Sequence, residues 1–245
     1  MELNILFPVL NEHLRLERGI RRTVDYCRRH LGDTDWRLTI LDNGSDDDTP
    51  DIGRRLAAEF PEVRDERIEE RGVGVAFRRG VELNESEIVG TMDIDLSTDI
   101  ATLAEVMSIF RNNPHIQYIN ASRFADRSDT RGRKWYRKIT SKGLLIILKA
   151  VFNMHATDAI CGFTFMRRPV AKRLVAECGD DKGWFYMIEL LLRAERDGID
   201  ILDLPVKWQE DYDTTVHIWK TIKNYLVNIV RLKRTFIMED RGGRR

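Results

Sequence analysis

Asp93-Ile94-Asp95 carries the sharpest chemistry in this sequence. Two carboxylates at i and i+2, just past the apolar run 87–92, can jointly face a divalent cation while their oxygens also reach a substrate diphosphate. Magnesium suits such a place, taking one or two carboxylates and completing its shell with phosphate oxygens and water. The same triplet also fits a strand-to-helix turn, where aspartate often serves as a cap. Its position at a strand end favours the metal.

Two other strand ends are chemically loaded, Pro8-Val9-Leu10-Asn11-Glu12 and Asp42-Asn43-Gly44-Ser45. Asp42 can accept a hydrogen bond from a nucleobase N–H. An Asx-turn closing on Gly44 is the competing reading, and for Asn43 and Ser45 the preferred one. Gly72, Gly74 and Gly80 let backbone approach a ligand, but their spacing is not G-x-G-x-x-G, and no G-x-x-x-x-G-K-[ST] occurs. Dinucleotide and P-loop readings are therefore weak. The five histidines are scattered without metal spacing, and no Ser-His-Asp or Cys-His pairing is suggested.

A cationic cluster follows. Arg123 ends a strand, and Arg131, Arg133, Lys134, Arg137 and Lys138 come soon after. Arginine forks match phosphate oxygens. Trp135, Tyr136 and the apolar run 144–152 come at once, giving a basic, aromatic-rimmed helix start with an apolar body, the pattern of an interfacial membrane helix. A basic helix N-terminus also runs against the helix dipole, which argues against a plain core helix.

The elements that must position these groups alternate. Strands are expected at 3–7, 37–42, 87–92 and 116–122, and helices at 12–30, 49–60, 72–83 and 97–113. That alternation predicts an α/β fold with a doubly wound, mostly parallel sheet, whose ligands sit at the carboxyl ends of the strands. Further on, helices are expected at 135–153, 170–178, 185–197 and 216–236, and strands at 159–166 and 199–207. No repeat or linker divides the chain. It reads as a single domain over 1–245, with a change of character near residue 125.

Composition bounds the classes. The chain has 245 residues, 42% hydrophobic and 33% charged, which describes an ordinary globular protein. No apolar run approaches the ~18–20 residues of a membrane span. No signal peptide is expected, and three scattered cysteines fit a reducing cytoplasm. The net charge of zero conceals asymmetry: residues 42–51 hold five aspartates and no base, while residues 131–142 hold six Lys/Arg and no acid. A neutral balance with acidic strand ends disfavours nucleic acid as a partner.

The pieces ILFPVLNE, LDNGSDDDT, GVGVAFRRG, MDIDLS, ASRF, TDAICGFTFMRR, GWFYMIELLLRA and LPVKW, in that order, resemble family-2 glycosyltransferases of the GT-A fold. The chain is most similar to the dolichol- or polyprenol-phosphate mannose and glucose synthases, over about residues 3–208. The resemblance implies a Rossmann-like central sheet flanked by helices, here with a C-terminal amphipathic helix. It implies an inverting transfer of hexose from a GDP-mannose or UDP-glucose type donor to a polyprenyl phosphate, with Mg2+ or Mn2+ as cofactor.

Carried over by position, Pro8, Leu10, Glu12 and Asp42 line the nucleotide pocket. Asp93 and Asp95 are the metal and diphosphate carboxylates, with the Ile94 backbone alongside and Ser97 on the metal side. Arg123 and Arg137 hold the acceptor phosphate. Residues 1–125 would form the nucleotide-sugar half, 126–215 the acceptor half and 216–245 a basic helix and tail. Where relatives carry a basic loop after LPVKW, this chain has Gln209-Glu210-Asp211-Tyr212-Asp213. The expected location is the cytoplasmic face of the membrane, peripherally bound, with a homodimer left open. The alternative is a soluble enzyme with a small hydroxyl acceptor, using Asp211 or Glu210 as base; a catalytically silent nucleotide-binding or membrane-associated scaffold is the third reading.

Overall fold

A computed structural model of the chain describes residues 1–132, 135–209 and 218–242. Arg133, Lys134, Glu210, Asp211, Tyr212, Asp213, Val216 and His217 lie outside the described residues.

The first half alternates strand and helix: β1 (Leu3–Val9), α1 (Leu16–His30), β2 (Trp36–Asp42), α2 (Thr49–Glu59), β3 (Val63–Arg67), α3 (Val73–Glu82), β4 (Ile88–Thr91), α4 (Thr102–Asn112) and β5 (Tyr118–Ser122). Then follow β6 (Asp129–Arg131), α5 (Trp135–Phe152), β7 (Thr164–Arg167), α6 (Arg168–Glu177), α7 (Phe185–Arg196), β8 (Ile201–Pro205), β9 (Lys207–Gln209) and α8 (Ile218–Gly242). Seven strands form one sheet in the order β3-β2-β1-β4-β7-β5-β8, and β6 pairs with β9 in a small second one. Every pairing in the large sheet is parallel except those of β7, which runs against both β4 and β5.

The apolar pattern explains the layers. In β1, Leu3, Ile5, Phe7 and Val9 join the core with α1, α2 and α4 on one face, while Leu6 joins the core with α3, α6 and α7 on the other. A strand covered on both faces must be apolar at nearly every position, as β1 is.

Several expected elements change on folding. The edge strand β3, VRDER, is too polar to be read as a strand; its ladder to β2 and the buried Val63 suffice. The helix expected from residue 97 starts at Thr102, because Thr98 bridges to Trp208 and the Ser97 carbonyl accepts the Gln209 N–H at 2.8 Å. The strand expected over 199–207 breaks after Pro205, so that β8 stays in the large sheet and β9 leaves for the small one. At α2, Pro50 stands in the first turn, where its fixed φ suits a helix start. The Asp48 side chain does not cap it; instead the Asp47 carboxylate accepts the Thr49 N–H at 2.9 Å.

Candidate active site

The carboxyl ends of β1, β2 and β4 lie side by side, since β1 sits between the other two. Past β4 the chain turns tightly: the Leu96 N–H donates to the Asp93 carbonyl at 3.1 Å, and the Ser97 N–H donates to Asp95 Oδ1 at 2.8 Å. Leu96 takes φ of +57°, a left-handed conformation uncommon for a residue with a side chain. Ile94 turns its side chain into the core, and its carbonyl presses on Gly19, where a Cβ would come within 2.4 Å. That anchor fixes the backbone between the two carboxylates.

Asp93 lies against Gly162, on the segment entering β7. A Cβ at Gly162 would sit 2.2 Å from one carboxylate oxygen and 2.3 Å from the other. Burial and the neighbouring Asp95 charge push the Asp93 carboxyl up, to about 7; Arg123 opposes this and Glu12 adds to it. Asp93, Asp95, Glu12 and Arg123 thus share one electrostatic neighbourhood. Two carboxylates that repel each other in this way suit a cation placed between them. No group of three or more His, Cys, Asp or Glu able to hold a metal occurs among the described residues. The pair fits a magnesium- or manganese-type ion completed by phosphate oxygens rather than an all-protein cage.

Arg123 follows β5 and is nearly enclosed, with 8% of its side chain exposed. It donates through Nε and Nη2 to Asp158 at 2.7 and 3.0 Å, and Asp158 is fully buried. Burial alone would lower the guanidinium pKa; the charge and hydrogen bonds of Asp158 outweigh it, so the net shift is upward. The loop bearing Asp158 is itself pinned. Asn120 Nδ2 donates to the Asp158 carbonyl and to Asp203 Oδ1, each at 2.7 Å, and the Thr157 N–H donates to Asp203 Oδ2 at 2.6 Å. The Trp208 ring lies 5.5 Å from the guanidinium carbon.

At the carboxyl end of β1, Pro8 is half-buried and Leu10, just beyond the strand, is 40% exposed. Glu12 accepts from Arg15 at 3.0 Å, and its N–H donates to Thr49 Oγ1 at 2.8 Å. Asp42 is buried, with Oδ1 accepting the Ser45 N–H at 3.0 Å and Oδ2 accepting from Arg67 at 2.5 Å. The Asp42 carboxylate thus closes on Ser45, three residues on, and not on Gly44 as an Asx-turn would. Asn43 Oδ1 takes the Gly72 N–H at 3.0 Å, joining this loop to the start of α3. His13 Nδ1 lies 2.6 Å from Asp47 Oδ2. Burial alone would raise the Asp47 carboxyl, but hydrogen bonds from Thr49 and His13 reverse this and bring it down to about 2.

Arg137 stands half-buried in the first turn of α5. On α5, Trp135, Ile139 and Ile146 are 74%, 60% and 68% exposed, and Lys138, Lys142 and Lys149 are exposed among them. Helix α8, which packs against α5, exposes Leu226, Val227 and Val230 together with Lys223, Lys233 and Arg234. No helix among the described residues is long and apolar enough to cross a membrane.

Four residues of this site were not singled out in the sequence: Asp158, Gly162, Arg67 and Trp208. Asp158 and Gly162 both fall in the segment TDAICGF, where an aspartate and a glycine interrupt an otherwise apolar approach to a strand. Trp208 ends the LPVKW motif, while Arg67 carries no local signal, and only the pairing of β3 with β2 brings it in.

Sheet order and flanking helices are those of a GT-A glycosyltransferase. The chain belongs to glycosyl transferase family 2, whose model matches residues 4–175. It is 28% identical over 232 residues to the glycosyltransferase AglD of Haloferax volcanii, covering 94% of this chain and 37% of that protein. It is 24% identical to the dolichyl-phosphate beta-glucosyltransferase ALG5C of Trichomonas vaginalis, covering 88% of this chain and 66% of that one. The chain thus spans less than two thirds of either relative. Among solved structures, glucosyl-3-phosphoglycerate synthase from Mycobacterium tuberculosis with bound UDP superposes with a TM-score of 0.71 at 18% identity, over 95% of this chain and 79% of that one. The same enzyme is known with Mn2+, UDP and glucosyl-3-phosphoglycerate.

Proposed function

We propose that this glycosyltransferase moves a hexose from a nucleoside diphosphate sugar to a polyprenyl phosphate at a membrane surface. The observation that carries the reading is the mutually repelling Asp93/Asp95 pair within the field of Arg123, a guanidinium held by Asp158. Similarity to the dolichyl-phosphate beta-glucosyltransferases and to AglD supports the acceptor class, and the exposed apolar and basic residues of α5 and α8 support the membrane.

In this reading residues 1–125 hold the donor and residues 126–215 the acceptor. Pro8, Leu10, Glu12 and Asp42 line the nucleotide, with Asp42 held in place by Arg67 and Ser45. Asp93 and Asp95, with the Ile94 backbone and Ser97 beside them, would hold Mg2+ or Mn2+, which when bound offsets charge on the leaving diphosphate. Arg123 and Arg137 would orient the acceptor phosphate. Asp158 uses two of the five N–H donors of Arg123, which leaves the others for phosphate oxygens and fixes their direction. An acceptor phosphate is already anionic, so it needs alignment more than a base. Its oxygen attacks the anomeric carbon as the bond to the donor diphosphate breaks; the electron pair leaves with the nucleotide, and the configuration inverts.

The test is transfer from UDP-glucose and GDP-mannose to a short-chain polyprenyl phosphate, with 3-phosphoglycerate as the small-acceptor control. Metal-dependent glycosyl polyprenyl phosphate, lost in a folded Asp95→Ala protein, is the expected product. Transfer to 3-phosphoglycerate alone would replace this reading with the small-acceptor enzyme. Metal-dependent transfer by Asp95→Ala would remove Asp95 from the metal.

A further inference from the structure

Between the carboxylate turn and Arg123 runs a short strand that joins them. In β9 the burial alternates: Lys207 and Gln209 are exposed, while Trp208 between them is partly buried and packs on the core. Its backbone is paired on both edges. On one side Trp208 bridges to Thr98 in antiparallel fashion. The Asp99 N–H donates to the Lys207 carbonyl at 2.9 Å, and the Gln209 N–H to the Ser97 carbonyl at 2.8 Å. On the other side Trp208 pairs with Thr130 of β6.

Each neighbour leads to one of the charged groups. Thr98 follows Ser97, whose N–H is held by the Asp95 carboxylate. Thr130 Oγ1 donates to the Arg123 carbonyl at 3.2 Å, and the Arg123 backbone N–H donates to Asp158 Oδ2 at 3.1 Å. The Trp208 side chain closes the link, since the Arg123 guanidinium carbon lies over its ring at 5.5 Å. Asp158 takes Nε and Nη2 of that guanidinium. Two such bonds lie in the guanidinium plane and resist rotation within it, but they oppose tilting out of it much less. An aromatic ring against the guanidinium supplies the second restraint and attracts the charge as well.

We propose that Trp208 is a positioning residue for glycosyl transfer, holding the Arg123 guanidinium at a fixed separation from the Asp93/Asp95 turn. This rests on the reading that the carboxylates hold the donor diphosphate and Arg123 an acceptor phosphate. The sugar then spans the gap that Trp208 sets. Reacting atoms must approach within about 3–3.5 Å, and a misplacement of about 1 Å costs on the order of a hundredfold. Loss of the ring therefore acts on the transfer and leaves the hold on the donor unchanged.

The experiment compares Trp208→Leu, Trp208→Phe, Arg123→Lys and Trp208→Leu/Arg123→Lys with the wild type, on polyprenyl phosphate and on 3-phosphoglycerate. In Trp208→Leu, kcat/KM for the acceptor should fall at least about tenfold, while UDP with Mn2+ binds within about twofold of the wild type. Trp208→Phe keeps a ring and should recover to within about threefold of the wild type. Because Trp208 acts through Arg123, its loss in Arg123→Lys should cost no more than about twofold further. A readout without turnover comes from tryptophan emission, which should shift when UDP and Mn2+ are added. Trp208→Phe and Asp95→Asn should lack that shift, and this measurement stands even where Trp208→Leu does not fold. Transfer to 3-phosphoglycerate alone would replace the acceptor reading, and the same pattern on that acceptor would still support Trp208. Equal losses of donor affinity and acceptor use in Trp208→Leu would overturn the proposal. So would additive losses with Arg123→Lys, an emission shift that persists in Trp208→Phe, or no shift in the wild type.

Discussion

Asp158 grips Arg123 through two hydrogen bonds of 2.7 and 3.0 Å while itself having no exposed surface. Removing one partner strands a buried charge, which costs about 3–5 kcal/mol, whereas replacing both with apolar groups is often close to neutral. Asp158→Ala should therefore lose about that much stability by urea denaturation, and Arg123→Met/Asp158→Leu should recover most of it. A double variant as unstable as the sum of the single changes would show that the pair is not a unit. On the proposed function, Asp158→Asn should raise KM for the acceptor more than for the donor.

Gly162→Ala places a methyl group within 2.2 Å of an Asp93 carboxylate oxygen. Either Asp93 or the loop must shift, and misplacement by about 1 Å at a reacting centre can cost on the order of a hundredfold. Metal-dependent turnover should slow by about that factor, while circular dichroism stays that of the wild type. Unchanged metal-dependent turnover would separate Asp93 from the metal.

Asp65 supplies a pH signature. Its Oδ1 is buried without a partner and lies against Gly53, and burial followed by the Asp42 charge pushes its carboxyl up to about 6. The folded state thus holds this proton more tightly than the unfolded chain does. The resulting stabilisation is full below the unfolded value of 3.8 and is lost as pH rises through about 6. Above that, the buried charge costs about 1–2 kcal/mol after allowance for partial exposure. Asp65→Asn should raise the melting temperature at pH 8 and leave it nearly unchanged at pH 4. An equal change at both values would refute the titration.

The apolar residues exposed on α5 give a direct membrane test. Replacing Trp135, Ile139 and Ile146 together with serine should reduce co-sedimentation with anionic vesicles at least about tenfold, because inserted apolar surface contributes roughly 25 cal/mol per Å². High salt should weaken the remaining basic contribution. Wild-type protein that stays in solution at low salt with lipid in excess would defeat the membrane assignment.

Local pattern foretold the elements whose own residues dictate them. The apolar runs of β1 and β2, the Thr49-Pro50 start of α2 and the carboxylates past β4 all needed no distant partner to be recognised. What escaped depends on pairing across the chain. VRDER becomes a strand only because β2 offers a ladder, and Arg67 meets Asp42 only through that register. Asp158 reads as an ordinary loop aspartate until Asn120 and Asp203 hold its backbone under Arg123. The reversal of β7 is equally silent in TFMR, since direction in a sheet is set by the connection and not by composition.

That reversed strand governs how the molecule can come into being. In the native sheet β5 is paired only to β7 and β8, both of which follow it in the chain. A ribosome that has released the chain as far as residue 125 has therefore produced a strand with no neighbour, and a β4 whose inner edge is still open. The part of the sheet built by residues 1–125 cannot be finished first and receive the rest later; it closes only when the segment after α5 returns to be sewn between β4 and β5. Recombination meets the same constraint. A chimera cut between β5 and β7 would leave β4 and β5 to pair with a β7 that came from another parent.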